Sequence, residues 1–237
     1  MEEKLNALCV RTVDYKDNDR LITLCTVEKG KILAKATGCK TPKAKLKYAA
    51  SPLCFGEYDL LESNGRYILK GCECYDNFSA LSNDLIRYYA GFSVLECLDK
   101  LAKENDFETC RDLTLQGTYT LKELAYTDNS PYKTMVDFFI KILKIIGYEL
   151  NFSACAVSGK SLKNQRVCFD YTYSGIVLFE YRSTDYVELR PDTLELLTGS
   201  ETSDENLIKQ VLSLLDDVLS KTSAISKGYS ILQMLSL

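Results

Sequence analysis

The chain of 237 residues has no histidine. That removes every mechanism using an imidazole as base, acid, nucleophile or metal ligand, including Ser-His-Asp and Cys-His catalysis. No apolar run approaches the roughly 20 residues that a bilayer span requires, so no membrane partner is expected. The opening Met1-Glu2-Glu3-Lys4 is acidic and polar, which predicts no secretory signal and a reducing, cytoplasmic setting. Hydrophobic residues at 46% and charged residues at 26% are ordinary for a globular protein and exclude disordered, collagenous and coiled-coil classes. Repeats, low-complexity tracts and long linkers are absent too.

Ten cysteines are present, most of them inside apolar runs such as Ala7-Leu8-Cys9-Val10, and they are read as reduced core thiols. The net charge of −4 is unevenly spread: residues 1–78 carry +2 and residues 79–237 carry −6. From Lys29 to Gly56 there is no acid, while seven lysines fall between positions 29 and 47. From Thr184 to Asn206 seven acids face Arg190 alone.

The first 78 residues read as five short strands: Leu5–Val13, Leu21–Val27, Lys31–Thr37, Cys54–Leu61 and Tyr67–Tyr75. A tight reversal at Lys29-Gly30 and an Asn64-Gly65 hairpin signal separate some of them, which suggests a small barrel or sandwich. After Phe78 the period becomes helical. Helices are expected over Asp84–Lys103, over Pro131–Ile146 between Ser130 and Gly147, and over Ser203–Leu219. The middle one is apolar nearly all round, as for a central buried element. Arg166–Tyr181 reads as a strand pair turning at Ser174-Gly175.

Lys31 and Lys35 are four apart on a strand and project from one face, with Ile32, Ala34 and Ala36 opposite. With Lys40, Lys43, Lys45 and Lys47 they suit a phosphodiester backbone, read for affinity rather than sequence; a solvated loop is the plain alternative. Tyr15, Tyr48, Phe55, Tyr58, Tyr67 and Tyr75 could stack on bases, although core packing explains most of them. Ser158-Gly159-Lys160-Ser161 looks like the end of a phosphate-binding loop, but Ala154 stands where that loop needs glycine, so it is a polar turn. Cys72 and Cys74 share one strand face and are read as core. Asp14, Asp17 and Asp19 are assigned to turn chemistry.

Several blocks resemble the bacterial RecO family. They are Thr12-Val13-Asp14-Tyr15-Lys16-Asp17-Asn18-Asp19-Arg20-Leu21, then Glu28-Lys29-Gly30-Lys31, Ala34-Lys35-Ala36-Thr37-Gly38 and Lys40-Thr41-Pro42-Lys43. A second group follows in order: Phe138-Phe139-Ile140-Lys141-Ile142-Leu143, Ile146-Gly147-Tyr148 and Cys155-Ala156-Val157-Ser158-Gly159, then Leu189-Arg190-Pro191-Asp192-Thr193-Leu194. The resemblance covers essentially the whole chain. It implies an α+β protein: an N-terminal five-stranded OB-fold over residues 1–78, then an α-helical domain over 79–237 with a small ribbon inserted at about 150–182.

The resemblance also implies a recombination mediator without enzymatic turnover. Such proteins bind single- and double-stranded DNA, anneal complementary strands and help load RecA onto DNA coated with single-strand-binding protein. Their partners are RecR, often RecF, and the acidic C-terminal tail of the single-strand-binding protein. Carried over by position, Arg11, Lys31, Lys35, Lys40, Lys43 and Lys45 are the candidate DNA contacts. Lys133, Lys141 and Lys144, on one side of the central helix, are the candidates for the tail; a polar strip on a buried helix is the alternative. Many family members hold zinc with four cysteines in the ribbon. Here those positions read Cys155, Ser158, Leu178 and Tyr181, so no zinc and no other cofactor is expected, and apolar packing should hold the ribbon. Two rival readings remain: a module that docks protein partners without strong DNA binding of its own, and a nuclease. The nuclease would need a carboxylate cluster beside the lysines, and none is evident.

Overall fold

The computed structural model describes residues 1–41, 43–199, 202–223 and 225–237; Pro42 of the Lys40–Lys43 block and Glu201 of the acidic run lie outside them. Five strands, β1 (Glu2–Tyr15), β2 (Asp19–Thr26), β3 (Lys31–Ala36), β4 (Phe55–Ser63) and β5 (Arg66–Asp76), close into a barrel in the order β1-β2-β3-β5-β4. β1 runs antiparallel to both β2 and β4, and a parallel pairing of β3 with β5 completes the circuit. This is an OB-like barrel, with the helical region after it.

Two-residue alternation decides which side chains fill the barrel. Leu5, Ala7 and Cys9 of β1, Ile22 and Leu24 of β2, Ile32, Ala34 and Ala36 of β3, and Tyr58 and Leu60 of β4 all point inward and are buried. The β4–β5 hairpin turns at Asn64-Gly65, where φ is +52° and +71°, the backbone that a two-residue primed turn requires.

Helix α1 (Leu85–Leu101) begins at Asp84, whose carboxylate accepts from the Arg87 N–H at 2.8 Å. Helix α2 (Phe107–Tyr126) begins at Asp106, which caps through the Thr109 N–H. The turn into β3 packs close under the loop between these helices. Gly30 has φ +82°, and a Cβ there would lie 2.7 Å from the Glu104 carbonyl oxygen. Near the end of the chain a short helix over Tyr229–Leu235 packs on α1, and Glu96 accepts from the Ser230 N–H and, at 2.6 Å, from its hydroxyl.

The chain divides into two compact units, Met1–Asn129 with Gly228–Leu237, and Ser130–Lys227. Compactness thus groups the barrel with α1, α2 and the last helix, whereas the change from strands to helices falls after Asp76. The second unit holds α3 (Pro131–Ile145), α4 (Pro191–Leu197) and α5 (Glu205–Thr222), so the short helix near the chain end is α6. It also contains a three-stranded sheet in the order β7-β6-β8, built from β6 (Val167–Asp170), β7 (Gly175–Leu178) and β8 (Tyr186–Leu189). Helix α3 packs on α5. It ends in a Schellman arrangement, the Tyr148 N–H reaching the Leu143 carbonyl and the Gly147 N–H reaching Lys144. Ser130 stands at its N-cap without a side-chain hydrogen bond, and Pro131 occupies the first turn.

Three expectations change. Helix α3 is not apolar all round: Asp137, Lys141 and Lys144 form an exposed strip. Cys74 is exposed and Cys72 is half-buried, packed against the barrel core rather than within it; the other eight cysteines are buried. In the ribbon Phe169, Ile176 and Leu178 are buried as expected, but Tyr173 is exposed. Phe179 instead sits between two guanidinium groups, Arg166 at 3.6 Å and Arg182 at 3.9 Å from its ring centre.

Candidate nucleic-acid interface

The register of three strands lays out the outer face of the barrel. Arg11 lies opposite Thr23, Val13 opposite Leu21 and Tyr15 opposite Asp19; Leu21 in turn faces Lys35, Thr23 faces Leu33 and Cys25 faces Lys31. Residues directly across a ladder point to the same side. One surface therefore carries Arg11, Lys31 and Lys35 around the apolar Val13, Leu21 and Leu33, with Tyr15 at one end. Leu33 is 51% exposed, a large apolar side chain left in solvent between two lysines.

A groove of about 760 Å³ runs along part of this face. Its walls come from β3, from the start of β5 at Arg66 and Tyr67 with Gly65 of the hairpin turn, and from the loop before α2, ending at Phe107. Four cations (Lys29, Lys31, Lys35 and Arg66) and three aromatic rings (Tyr15, Tyr67 and Phe107) line it. Lys29 lies 5.5 Å from the Tyr67 ring centre and Lys35 the same distance from that of Tyr15. Such a surface can hold a polyanion by charge while offering ring faces and apolar side chains to flat groups.

Most of these cations already have a carboxylate. Arg11 Nε lies 3.2 Å and Lys31 Nζ 3.6 Å from the two oxygens of Asp99, and Lys31 also donates to the Asp99 carbonyl. Lys35 donates to Asp19 at 2.8 Å, and Lys40 to Asp14 at 2.9 Å, where Arg20 also lies at 3.2 Å. Lys35 holds the Asp19 carboxyl below its usual range, helped by the Gly38 N–H, and Lys40 does the same for Asp14 with help from Arg20. Lys29 is pushed up by its bond to Glu3, 2.7 Å away.

Lys43 and Lys45 stand on the turns between β3 and β4, both exposed, with the half-buried Leu46 next to Lys45. Of the aromatic candidates, Tyr58 is fully buried and is core, Tyr48 and Tyr75 are exposed, and Tyr15 and Tyr67 line the groove. The structure thus brings Arg11, Lys31 and Lys35 onto one face and sets Lys40, Lys43 and Lys45 on the adjoining segment.

In the second unit, Lys133 is half-buried while Lys141 and Lys144 are exposed, and Lys144 donates to Glu149 at 2.6 Å. In the ribbon, Cys155 is buried and its sulfur accepts from the Leu178 N–H at 3.4 Å. Burial pushes the Cys155 thiol up, but the Ser158 hydroxyl and the N–H groups of Leu178, Ser158 and Val157 outweigh it and hold the thiol below its ordinary value. Burial raises Cys168 to about 11. Among the described residues no three ligating side chains converge, so the donors present do not fit a tetrahedral zinc ion.

Leu33, Arg66, Phe107, Asp99 and the ion-pairing roles of Asp14 and Asp19 escaped the sequence reading. Leu33 was within reach, since it alternates with Lys31 and Lys35. Phe107 and Asp99 come from helices and no local pattern announces them.

A family model described as Recombination protein O N terminal matches residues 1–78, and one described as Recombination protein O C terminal matches residues 82–211. The DNA repair protein RecO of Clostridium novyi is 32% identical over 73% of this chain and 67% of its own length. That of Acetivibrio thermocellus is 24% identical over 95% of this chain and 89% of its own, and that of Clostridium kluyveri 29% over 89% and 81%.

Proposed function

This chain belongs to the RecO family of DNA repair and recombination proteins, which are mediators rather than enzymes, and from that premise we propose that it binds DNA through the outer face of β1–β3. There it anneals complementary strands and helps load RecA onto DNA coated with single-strand-binding protein. The observation that carries this reading is the meeting of Arg11, Lys31 and Lys35 with Tyr15, Leu33 and Tyr67 on one barrel face. In OB-folds the face of strands two and three, with the β1–β2 and β4–β5 loops, is where oligonucleotides lie. Lys40, Lys43 and Lys45 extend the cationic surface. RecR and the acidic tail of the single-strand-binding protein are the protein partners, often with RecF; Lys133, Lys141 and Lys144 are the residues proposed for the tail. No helix among the described residues is long and apolar enough to cross a membrane.

The test is fluorescence anisotropy of a labelled single-stranded oligonucleotide across a salt series. Four phosphate contacts would give a log–log slope of about −3. Replacing Lys40, Lys43 and Lys45 together by Glu should weaken binding at least tenfold at low salt. Affinity indifferent to salt, or unchanged in that variant, would overturn the reading and leave a barrel that docks protein partners, which the internal pairing of its cations would suit.

A further inference from the structure

Charge on the barrel face is partly offset despite its lysines, because Asp99, Asp19 and Asp14 sit against the cations. Asp99 reaches from α1 to cations on two strands, Arg11 of β1 and Lys31 of β3. Asp14 lies between Arg20 of β2 and Lys40 on the segment after β3. Asp19 takes Lys35 and the backbone N–H of Gly38. A carboxylate gathering two donors from different elements, or a cation and a backbone N–H, makes the charge-assisted contacts that a phosphate oxygen would make.

We propose that Asp99, Asp19 and Asp14 occupy three phosphate subsites, so that DNA binds by exchange, each backbone phosphate displacing one internal carboxylate. The proposal rests on the DNA-binding reading and deepens it by locating the phosphates. One subsite lies between Arg11 and Lys31, one at Lys35 beside the Tyr15 ring, and one between Arg20 and Lys40, leading to Lys43 and Lys45. Lys31 and Lys35 are four residues apart on an extended strand, so the first two subsites are separated by about 13 Å along β3. A DNA strand crossing the face from β3 toward the lysine segment would meet them in turn.

Exchange has a functional consequence. A displaced carboxylate returns to water and its solvation offsets part of the loss, so each step of binding or release is nearly balanced. Strand annealing requires such a balance: the protein must hold a strand and give it up once it has paired. It also limits how much arbitrary polyanion the face retains. Lys43 and Lys45, which form no ion pair among the described residues, would make the first, unexchanged encounter.

The experiment measures affinity of the full chain for a fluorescein-labelled thirty-residue oligothymidylate by anisotropy at low salt. The variants are Asp99→Asn, Asp14→Asn, Asp19→Asn, Lys31→Ala and Lys40→Ala. Glu205→Gln, in the second unit, carries the same change in net charge as each aspartate variant and serves as the control. Asp99→Asn and Asp14→Asn should each tighten binding about two- to fivefold, the size of a partly exposed ion pair, while Glu205→Gln stays within twofold. Asp14 is 63% exposed at its side chain, so its variant tests the idea without threatening the fold. If both aspartate variants weaken binding or leave it unchanged while Lys31→Ala weakens it, the face binds DNA but the carboxylates only orient its cations, and the exchange proposal falls alone. If neither lysine variant changes affinity, the DNA-binding reading falls and takes the subsites with it.

Discussion

Tyr58 links the barrel core to the lysine segment, and its hydroxyl can be removed at nearly constant volume. The ring is fully buried among the inward residues of β1–β5, and the hydroxyl donates toward the Ala49 carbonyl at 3.2 Å and the Cys54 carbonyl at 3.1 Å. Cys54 O keeps a second donor, the Cys9 N–H at 2.9 Å, but Ala49 O has only Tyr58 among the described residues. Tyr58→Phe therefore loses one buried hydrogen bond and strands one buried carbonyl, a cost of about 2 kcal/mol. If the first unit unfolds cooperatively, its melting temperature should fall by about 4–8 °C. The loss should concentrate in the segment after β3, where Ala49 and Ala50 are buried and Leu46 packs on the core. Amide exchange over residues 44–54 should accelerate while β1 and β2 keep their protection. Calorimetry gives the first number and exchange mass spectrometry the second. A melting point lowered by less than about 2 °C, or faster exchange spread evenly over the barrel, would refute the view that Tyr58 anchors this segment.

Two further predictions concern the ribbon. Asp170 is fully buried and accepts from the N–H groups of Thr172, Tyr173 and Ser183 and from the Ser183 hydroxyl. Burial pushes its carboxyl up, but these donors prevail and hold it below the ordinary value. A depressed folded value means stability present above pH ~4 and lost as the pH falls through it, so Asp170→Ala should cost roughly 3 kcal/mol near neutrality. Urea titrations at pH 7 and pH 3 should show that difference shrinking with acid; a difference independent of pH would contradict the assignment. Zinc or a chelator should shift the melting temperature by less than about 1 °C, whereas a real four-ligand site would raise it strongly with added metal. A large zinc-dependent rise in a thermal-shift titration would mean that ligands converge here after all.

The barrel was legible because β3 and β4 alternate cleanly, and because Lys29-Gly30 and Asn64-Gly65 are turn signals with a single backbone meaning. Helix α2 was missed for a physical reason. Thr114, Gly117, Thr118 and Thr120 are buried in the middle of its apolar stripe, and Gly117 gives Leu98 of α1 room to approach. Cys110, Leu113, Leu121 and Leu124 keep the helical spacing on either side, so the stripe is interrupted rather than absent. Helices α4 and α6 and strand β8 are each of seven residues or fewer, too short for periodicity to register. For the candidate site, the lysines could be read from the sequence but their carboxylates could not. Asp99 is more than sixty residues from Lys31, and only the packing of α1 on the barrel makes them neighbours.

The return of α6 to α1 sets an order of events during synthesis. The first unit has its barrel and two helices available once Asn129 has emerged, yet Ile231 and Met234 of α6, both buried, complete its packing only near the end. The stretch from Ser130 to Lys227 takes on the order of 5–20 s to translate, and through that interval α1 must wait with the face that α6 will cover open to solvent. Nascent chains stalled inside the second unit should therefore expose that face of α1 to chaperones and proteases.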